Sequence, residues 1–221
     1  STPKYAYIAA LHKVIQAIAD GRVPAIAALP LFSATGFALE KADGSIRPIA
    51  CGNALRRLAF RAVLLASPEL LLAALASTQF AICYPGGMEA CKLGLETSMQ
   101  LRTVALLWID YKNAFNTTCR QLIKEAVQLF IPQWSNLYQA CYEMKTKFIL
   151  LQENEEGGKM PGNIDSQEGV QQGCPLGPAL FCLAQRVIQL LARRAKGEVI
   201  DLQAEGVHAY AIEHGVWDRI V

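Results

Sequence analysis

Charge is what this 221-residue chain has least of. Asp, Glu, Lys and Arg make up 18% of it, against about a quarter of an average soluble domain. The net charge is only +2, which argues against a strongly basic clamp for nucleic acid. Apolar residues reach 52%, so a disordered chain is excluded as well. Histidine is scarce, at positions 12, 208 and 214 only, and the seven cysteines contain no C-x-x-C pair. Together they offer no zinc-site spacing. An odd cysteine count without a disulfide framework reads as reduced, mostly buried thiols inside a cell. Long apolar runs are also missing. The longest uncharged stretches, Leu70 to Met88 and Val23 to Leu39, are interrupted by proline, glycine or polar residues, so no membrane span of its own is expected. No signal peptide is visible. The expected location is intracellular, with nucleus and organelle not separated.

The length suits one domain or two small lobes with a sizeable core. Periodicity predicts a helix over Tyr5 to Ala19, then a proline-punctuated connection from Val23 to Ser33. Short strands at Phe37 to Lys41 and Ile46 to Ala50 flank Ala-Asp-Gly-Ser, a hairpin signal. Helices follow at Ala54 to Leu65 and Pro68 to Ala76. The continuous apolar run Thr103 to Ile109 reads as a buried strand. Cys119 to Phe130 and Trp134 to Met144 read as helices, Thr146 to Leu151 as a strand, and Gln152 to Asn163 as a loop or long hairpin tip. A long helix is predicted at Gly177 to Ala195 and a short strand at Val207 to Ala211. This order is α+β, without regular βαβ alternation. The chain is divided at residue 102, into 1–102, which holds the N-terminal helix, and 103–221.

Three segments carry chemistry. Asp110 follows the Thr103 to Ile109 run, where a carboxylate can hold a metal for phosphoryl transfer or simply cap a helix. Glu168 to Phe181 holds three glycines and two prolines before a helix, an arrangement that lets backbone approach a phosphate or base, or merely turns into the helix. Residues 41–61 hold Lys41, Arg47, Arg56, Arg57 and Arg61 against Asp43. The basic charge is thus concentrated there, either as a patch for triphosphate or nucleic-acid backbone or as a solvated helix face.

Taken in order, these segments resemble the reverse transcriptase domain of non-LTR retrotransposons. Lys41 through Arg57 is similar to the family's fingers signature. Gly86-Gly87-Met88-Glu89 is similar to its Gly-x-Glu segment. Asp110 to Asn116 resembles its first metal-binding motif, and Glu168 to Phe181 its Glu-Gly-Val-Gln-Gln-Gly-Asp-Pro run. The resemblance implies a fingers–palm body, with the N-terminal helix and a fingers-like region over 1–102 and a palm-like region over 103–221, and an antiparallel palm sheet in which Thr103 to Ile109 and Val207 to Ala211 are neighbours. It implies that Asp110 binds catalytic metal, that Phe115 excludes a ribose 2′-OH, that Lys41 and Arg47 hold a triphosphate, and that Gln172 braces the incoming nucleotide. Arg56 and Arg57 would meet nucleic acid.

The departures point away from catalysis. The family's third motif carries an Asp pair, but the matching stretch is Tyr210-Ala211-Ile212-Glu213-His214-Gly215. Ile212 falls on the first Asp and has no oxygen for Mg²⁺. Glu213 fits the second position, and a one-residue shift aligns Glu213 and His214 instead. Cys174 replaces the family's Asp in its Gly-Asp-Pro step. The resemblance stops shortly after this motif, at Val221, without a thumb. No cofactor is expected, and Mg²⁺ only if the chain is active. The reading is a degenerate reverse transcriptase-like chain, leaning away from an enzyme and acting as a structural subunit of a larger assembly. The association face is expected around Trp217 and Ile220 and along Leu70 to Ile82. The alternatives are an RNA-binding pseudo-polymerase, with RNA as partner, and an active RNA-directed DNA polymerase using Asp110 and Glu213.

Overall fold

The computed structural model describes residues 3–221 apart from 77, 83, 102–104, 107, 145 and 154–158; side chains are described from Tyr5 on, and not for 151–153 and 159–161. The protein is α+β, with a four-stranded mixed sheet set against a helical body. Helix α1 spans Pro3–Ala19 and α2 spans Ala25–Phe32. Strands β1 (Ala34–Glu40) and β2 (Ile46–Gly52) form the predicted hairpin, with Ala38 opposite Pro48. Its turn is closed by Asp43, whose carboxylate accepts from the Ser45 amide at 2.9 Å and hydroxyl at 2.6 Å. Helix α3 (Ala54–Ala66) is capped by Asn53, which accepts from the Leu55 amide at 2.9 Å. Then come α4 (Pro68–Leu75), α5 (Gly87–Leu101), α6 (Ala114–Thr117), α7 (Arg120–Phe130) and α8 (Ser135–Tyr138), which runs on into a π-helical turn at Gln139–Glu143.

Strands β3 (Thr146–Glu153) and β4 (Lys159–Ser166) pair antiparallel, and β3 joins β1 in parallel at Ala34–Phe148 and Thr35–Ile149. The sheet order is β2-β1-β3-β4. Helices α9 (Gly177–Ala195) and α10 (Ala209–Glu213) complete the body. Its centre is the packing of α7 on α9, where Ile123, Val127, Leu183, Val187 and Leu190 are fully enclosed. Burying side chains of this size stabilises by about 1.5–3 kcal/mol each.

Four elements depart from expectation. The described part of Thr103 to Ile109 is not a strand, and Asp110 follows it in irregular chain; Thr103, Val104 and Leu107 lie outside the described residues. Trp108 is 80% exposed, so the described part of the run finds neither the sheet partner nor the cover that a buried strand needs. Val207 to Ala211 is not a strand either, and the expected pairing of the two is absent among the described residues. The chain enters α10 instead. Val207 and Ala211, four residues apart, both face the core, and the His208 ring caps the helix by accepting from the Tyr210 amide at 3.2 Å.

The Val23 to Ser33 connection contains α2 despite Pro30, because burial of Ala28 and Phe32 outweighs the lost backbone bond. The Gln152 to Asn163 stretch includes much of β4. That strand tolerates Pro161 because it lies at the sheet edge.

Two further expectations change. Six cysteines are described, and three of them (Cys141, Cys174 and Cys182) are buried. Trp217, expected at an association face, is 5% exposed and packs into the protein's own core, with Ile220 against it; Leu71, Ala74 and Leu75 are likewise interior. No single helix among the described residues is long and apolar enough to cross a membrane, and α3 with α4, the one pair that passes together, is bent by 70°.

Trp217→Ala is therefore expected to act as a core truncation, lowering the unfolding free energy by about 3–5 kcal/mol in urea titration. A loss below about 1 kcal/mol would contradict this placement of the indole.

Candidate functional site

The glycine-rich loop is where the hairpin and the Asp110 to Asn116 segment meet. Gly169 has φ +63°, and a Cβ there would collide with the Phe115 carbonyl. Glycine permits the closeness that the Val170 amide needs to donate to that carbonyl at 2.7 Å, while the Gly169 amide donates to the Thr118 carbonyl at 3.0 Å. At Gly173, φ is +117° and a Cβ would strike the Ala50 carbonyl; beside it the Ala50 amide donates to the Gln172 carbonyl at 2.7 Å. The loop thus joins α6 to β2.

Below this junction lies Arg56. It was expected to meet nucleic acid, but it is 1% exposed and points inward. Its guanidinium donates to the Phe32 carbonyl at 2.8 Å and to Gln171 Oε1 at 2.6 Å, and reaches Cys174 Sγ at 3.6 Å. It lies 5.0 Å from the centre of the Phe60 ring, with Phe32 and Tyr142 about it as well. Burial opposes the charge, but the surrounding Cys174, Tyr142 and Cys141 side chains more than offset that and hold the Arg56 pKa above its ordinary value. Helix α3 therefore divides its basic residues: Arg57 stays on the exposed side, whereas Arg56 shares the buried side with Ala59 and Phe60.

Arg120 is a second inward guanidinium, and sequence reading missed it. It donates to the carbonyls of Ser166 at 2.7 Å, Gly169 at 3.0 Å and Tyr142 at 3.1 Å, and to the Ser166 hydroxyl at 2.8 Å. It fastens the start of α7 to the end of β4 and to the loop. Burial lowers its pKa, partly offset by Tyr138, Tyr142 and Glu168. The available signal was a cation at a helix N-terminus with no acid in the first turn, the unfavourable end for positive charge.

Of the other expected site residues, Phe115 is half-buried and packs on Phe181 at 5.2 Å between ring centres. Gln172 is half-buried and tied through its backbone. Lys41 is half-buried at the turn of the hairpin, and Arg47 is exposed on β2. Asp110 is exposed, in irregular chain. Glu213 is exposed on α10, which packs against α7, whereas α6 packs against α9. Among the described residues no group of three or more His, Cys, Asp or Glu side chains is placed to hold a metal ion. The start of α9 is no open anion site either, since Leu176, Gly177 and Ala179 are buried.

Two measurements check this cluster. Arg56→Ala leaves Gln171 and the Phe32 carbonyl short of a donor and is expected to cost about 3–5 kcal/mol, while Arg57→Ala stays within about 0.5 kcal/mol. Equal effects would contradict the inward placement. The second concerns pH. Burial raises the pKa of the Cys141 thiol and of the Tyr138 and Tyr142 phenols. These groups keep their protons in the folded state and release them on unfolding at high pH. Stability is therefore full below about pH 8 and falls as pH rises through about 9 to 10. Urea midpoints should decline over that range, and Cys141→Ala should flatten the earlier part of the decline. A midpoint that rises with pH would contradict it.

A scan against protein-family models and a comparison with curated proteins gave no match for this chain.

Proposed function

We propose that the protein is a degenerate reverse transcriptase-like chain without polymerase activity, serving as a structural subunit of a larger assembly. The observation that carries this reading is the apolar surface left open among the described residues. Leu101, Trp108 and Ile109 lie open at and after the end of α5, and Tyr5, Tyr7 and Ile8 lie open on α1. Open apolar surface of this extent marks association.

The likeness to a polymerase is supported by the nearness of segments from the fingers-like and palm-like parts. The hairpin with Lys41 and Arg47, the glycine-rich loop against Ala50, and Phe115 beside that loop lie in one neighbourhood. Against catalysis stands Ile212, where the family has a metal-binding Asp. A second reading, RNA binding without chemistry, draws on exposed Arg47 and Arg57, with Arg56 subtracted from the patch.

Native protein recovered from its source should sediment far above 24.1 kDa and yield no primer-extension product beyond an Asp110→Ala control with Mg²⁺ or Mn²⁺. Extension that Asp110→Ala abolishes would establish the enzyme instead. RNA binding that weakens with salt and disappears with Arg47 and Arg57 replaced would establish the second reading.

A further inference from the structure

Helix α3 is apolar on two sides. Ala59 and Phe60 face the core beside the buried Arg56. The opposite side is open: Leu55, Leu58 and Leu65 are exposed, Leu65 at 82%. Helical spacing sets Leu58 and Leu65 on one line, about two turns apart. The same spacing runs Arg57 and Arg61, both exposed, along one flank of that line. The outer side is thus a strip of leucines edged by arginines, the pattern of a helix that lies between water and an apolar phase.

Its charge has one sign. Helix α3 contains no Asp or Glu. The helices that pack most on it add none, since α1 carries lysines and no acid and α2 carries no charged residue. Asp20, which follows α1, is taken up by Arg22 at 2.6 Å. Glu40 and Asp43 belong to the far end of the hairpin from Gly52, where α3 begins. Glu69 is the first acid after α3, on α4 beyond a bend of 70°. Among the described residues neither Arg57 nor Arg61 has a carboxylate within ion-pair distance.

Three further features suit a lipid surface. Helix α1, packed against α3, leaves Tyr5, Tyr7 and Ile8 open and Lys13 exposed. Tyrosine rings favour the headgroup level of a bilayer, with the ring against hydrocarbon and the hydroxyl in water. Helices α3 and α4 together have the hydropathy of a membrane segment, but the bend and the burial of Phe60, Leu71 and Leu75 hold them in the body of the protein. Nucleic acid would meet the arginines and gain nothing from the leucines. A neutral apolar partner would desolvate both arginines without pairing them. An anionic bilayer meets both: the leucines enter the acyl boundary, and the guanidiniums reach lipid phosphates along their own apolar stems.

We propose that the outer side of α3, with α1 beside it, docks the protein on the surface of an anionic membrane without crossing it.

The test uses the full chain carried on a solubility domain, with that domain alone as blank. Flotation at physiological salt compares vesicles of phosphatidylcholine alone with vesicles that also contain phosphatidylserine. The protein is expected to float with the serine-containing vesicles and to bind the neutral ones at least about tenfold more weakly. Arg57→Gln with Arg61→Gln should weaken binding to the anionic vesicles by about tenfold. Leu58→Gln with Leu65→Gln should weaken it by a similar factor, and should do so even at low salt, where charge acts most strongly. All four positions are exposed, and circular dichroism matching the parent shows that each variant is folded. Equal flotation on both vesicles, either double variant floating as the parent does, or oligouridylate stripping the protein from the vesicles would each overturn the proposal, the last by giving the arginines to nucleic acid. A parent that floats with neither vesicle while native protein sediments with a larger assembly would give the open side of α3 to a partner protein, removing this inference and leaving the subunit reading in place.

Discussion

The buried guanidinium of Arg56 is the constraint on which the arrangement depends. A charge buried this deeply survives only if its donors are met. Here the acceptors come from distant parts of the chain: the Phe32 carbonyl at the end of α2, and Gln171 and Cys174 in the glycine-rich loop. One side chain on α3 thereby fixes where the second helix stops and where the loop sits. The loop in turn holds β2 through Ala50 and α6 through Phe115. Arg120 repeats the device beside Tyr142, whose ring centre lies 5.9 Å from the Arg56 guanidinium and 5.3 Å from that of Arg120. Among the described residues no carboxylate is a hydrogen-bond acceptor for either cation, and neutral acceptors and aromatic faces do the compensating.

That interior accounts for a rigid centre but not for the surface around it. The sheet is anchored at one end by Ala34, Ala50, Thr146 and Ser166, all buried, while Phe37, Leu39 and Ile46 farther along the hairpin are open. Helix α5 buries only Gly87 among its residues. Apolar side chains left open in this way gain from any cover that arrives, which is the physical basis for reading the chain as one part of something larger.

Much of this was legible in the sequence, for identifiable reasons. The β1–β2 hairpin was readable because Asp-Gly-Ser dictates a turn, and α7 and α9 because their apolar residues recur at helical spacing. The inward turn of Arg56 was not readable, since an arginine among arginines looks the same whichever way it points. Only the apolar Ala59 and Phe60 three and four residues on hint at which face is buried. The strand expected at Thr103 to Ile109 rested on apolar continuity, and that signal fixes no partner. At Val207 to Ala211, five residues after Gly206 were too short to separate strand from helix by pattern; the burial of Val207 and Ala211 together with the His208 cap decided it. Pairing across the sheet, as between β1 and β3, depends on contacts more than a hundred residues apart and left no local trace.

The central claim, that the exposed apolar surface belongs to an interface, is tested most directly by expressing the chain alone and following it by gel filtration with light scattering at physiological salt. The account predicts a protein that self-associates or stays soluble only with a partner or solubility domain. A monodisperse, soluble monomer of 24.1 kDa would contradict it.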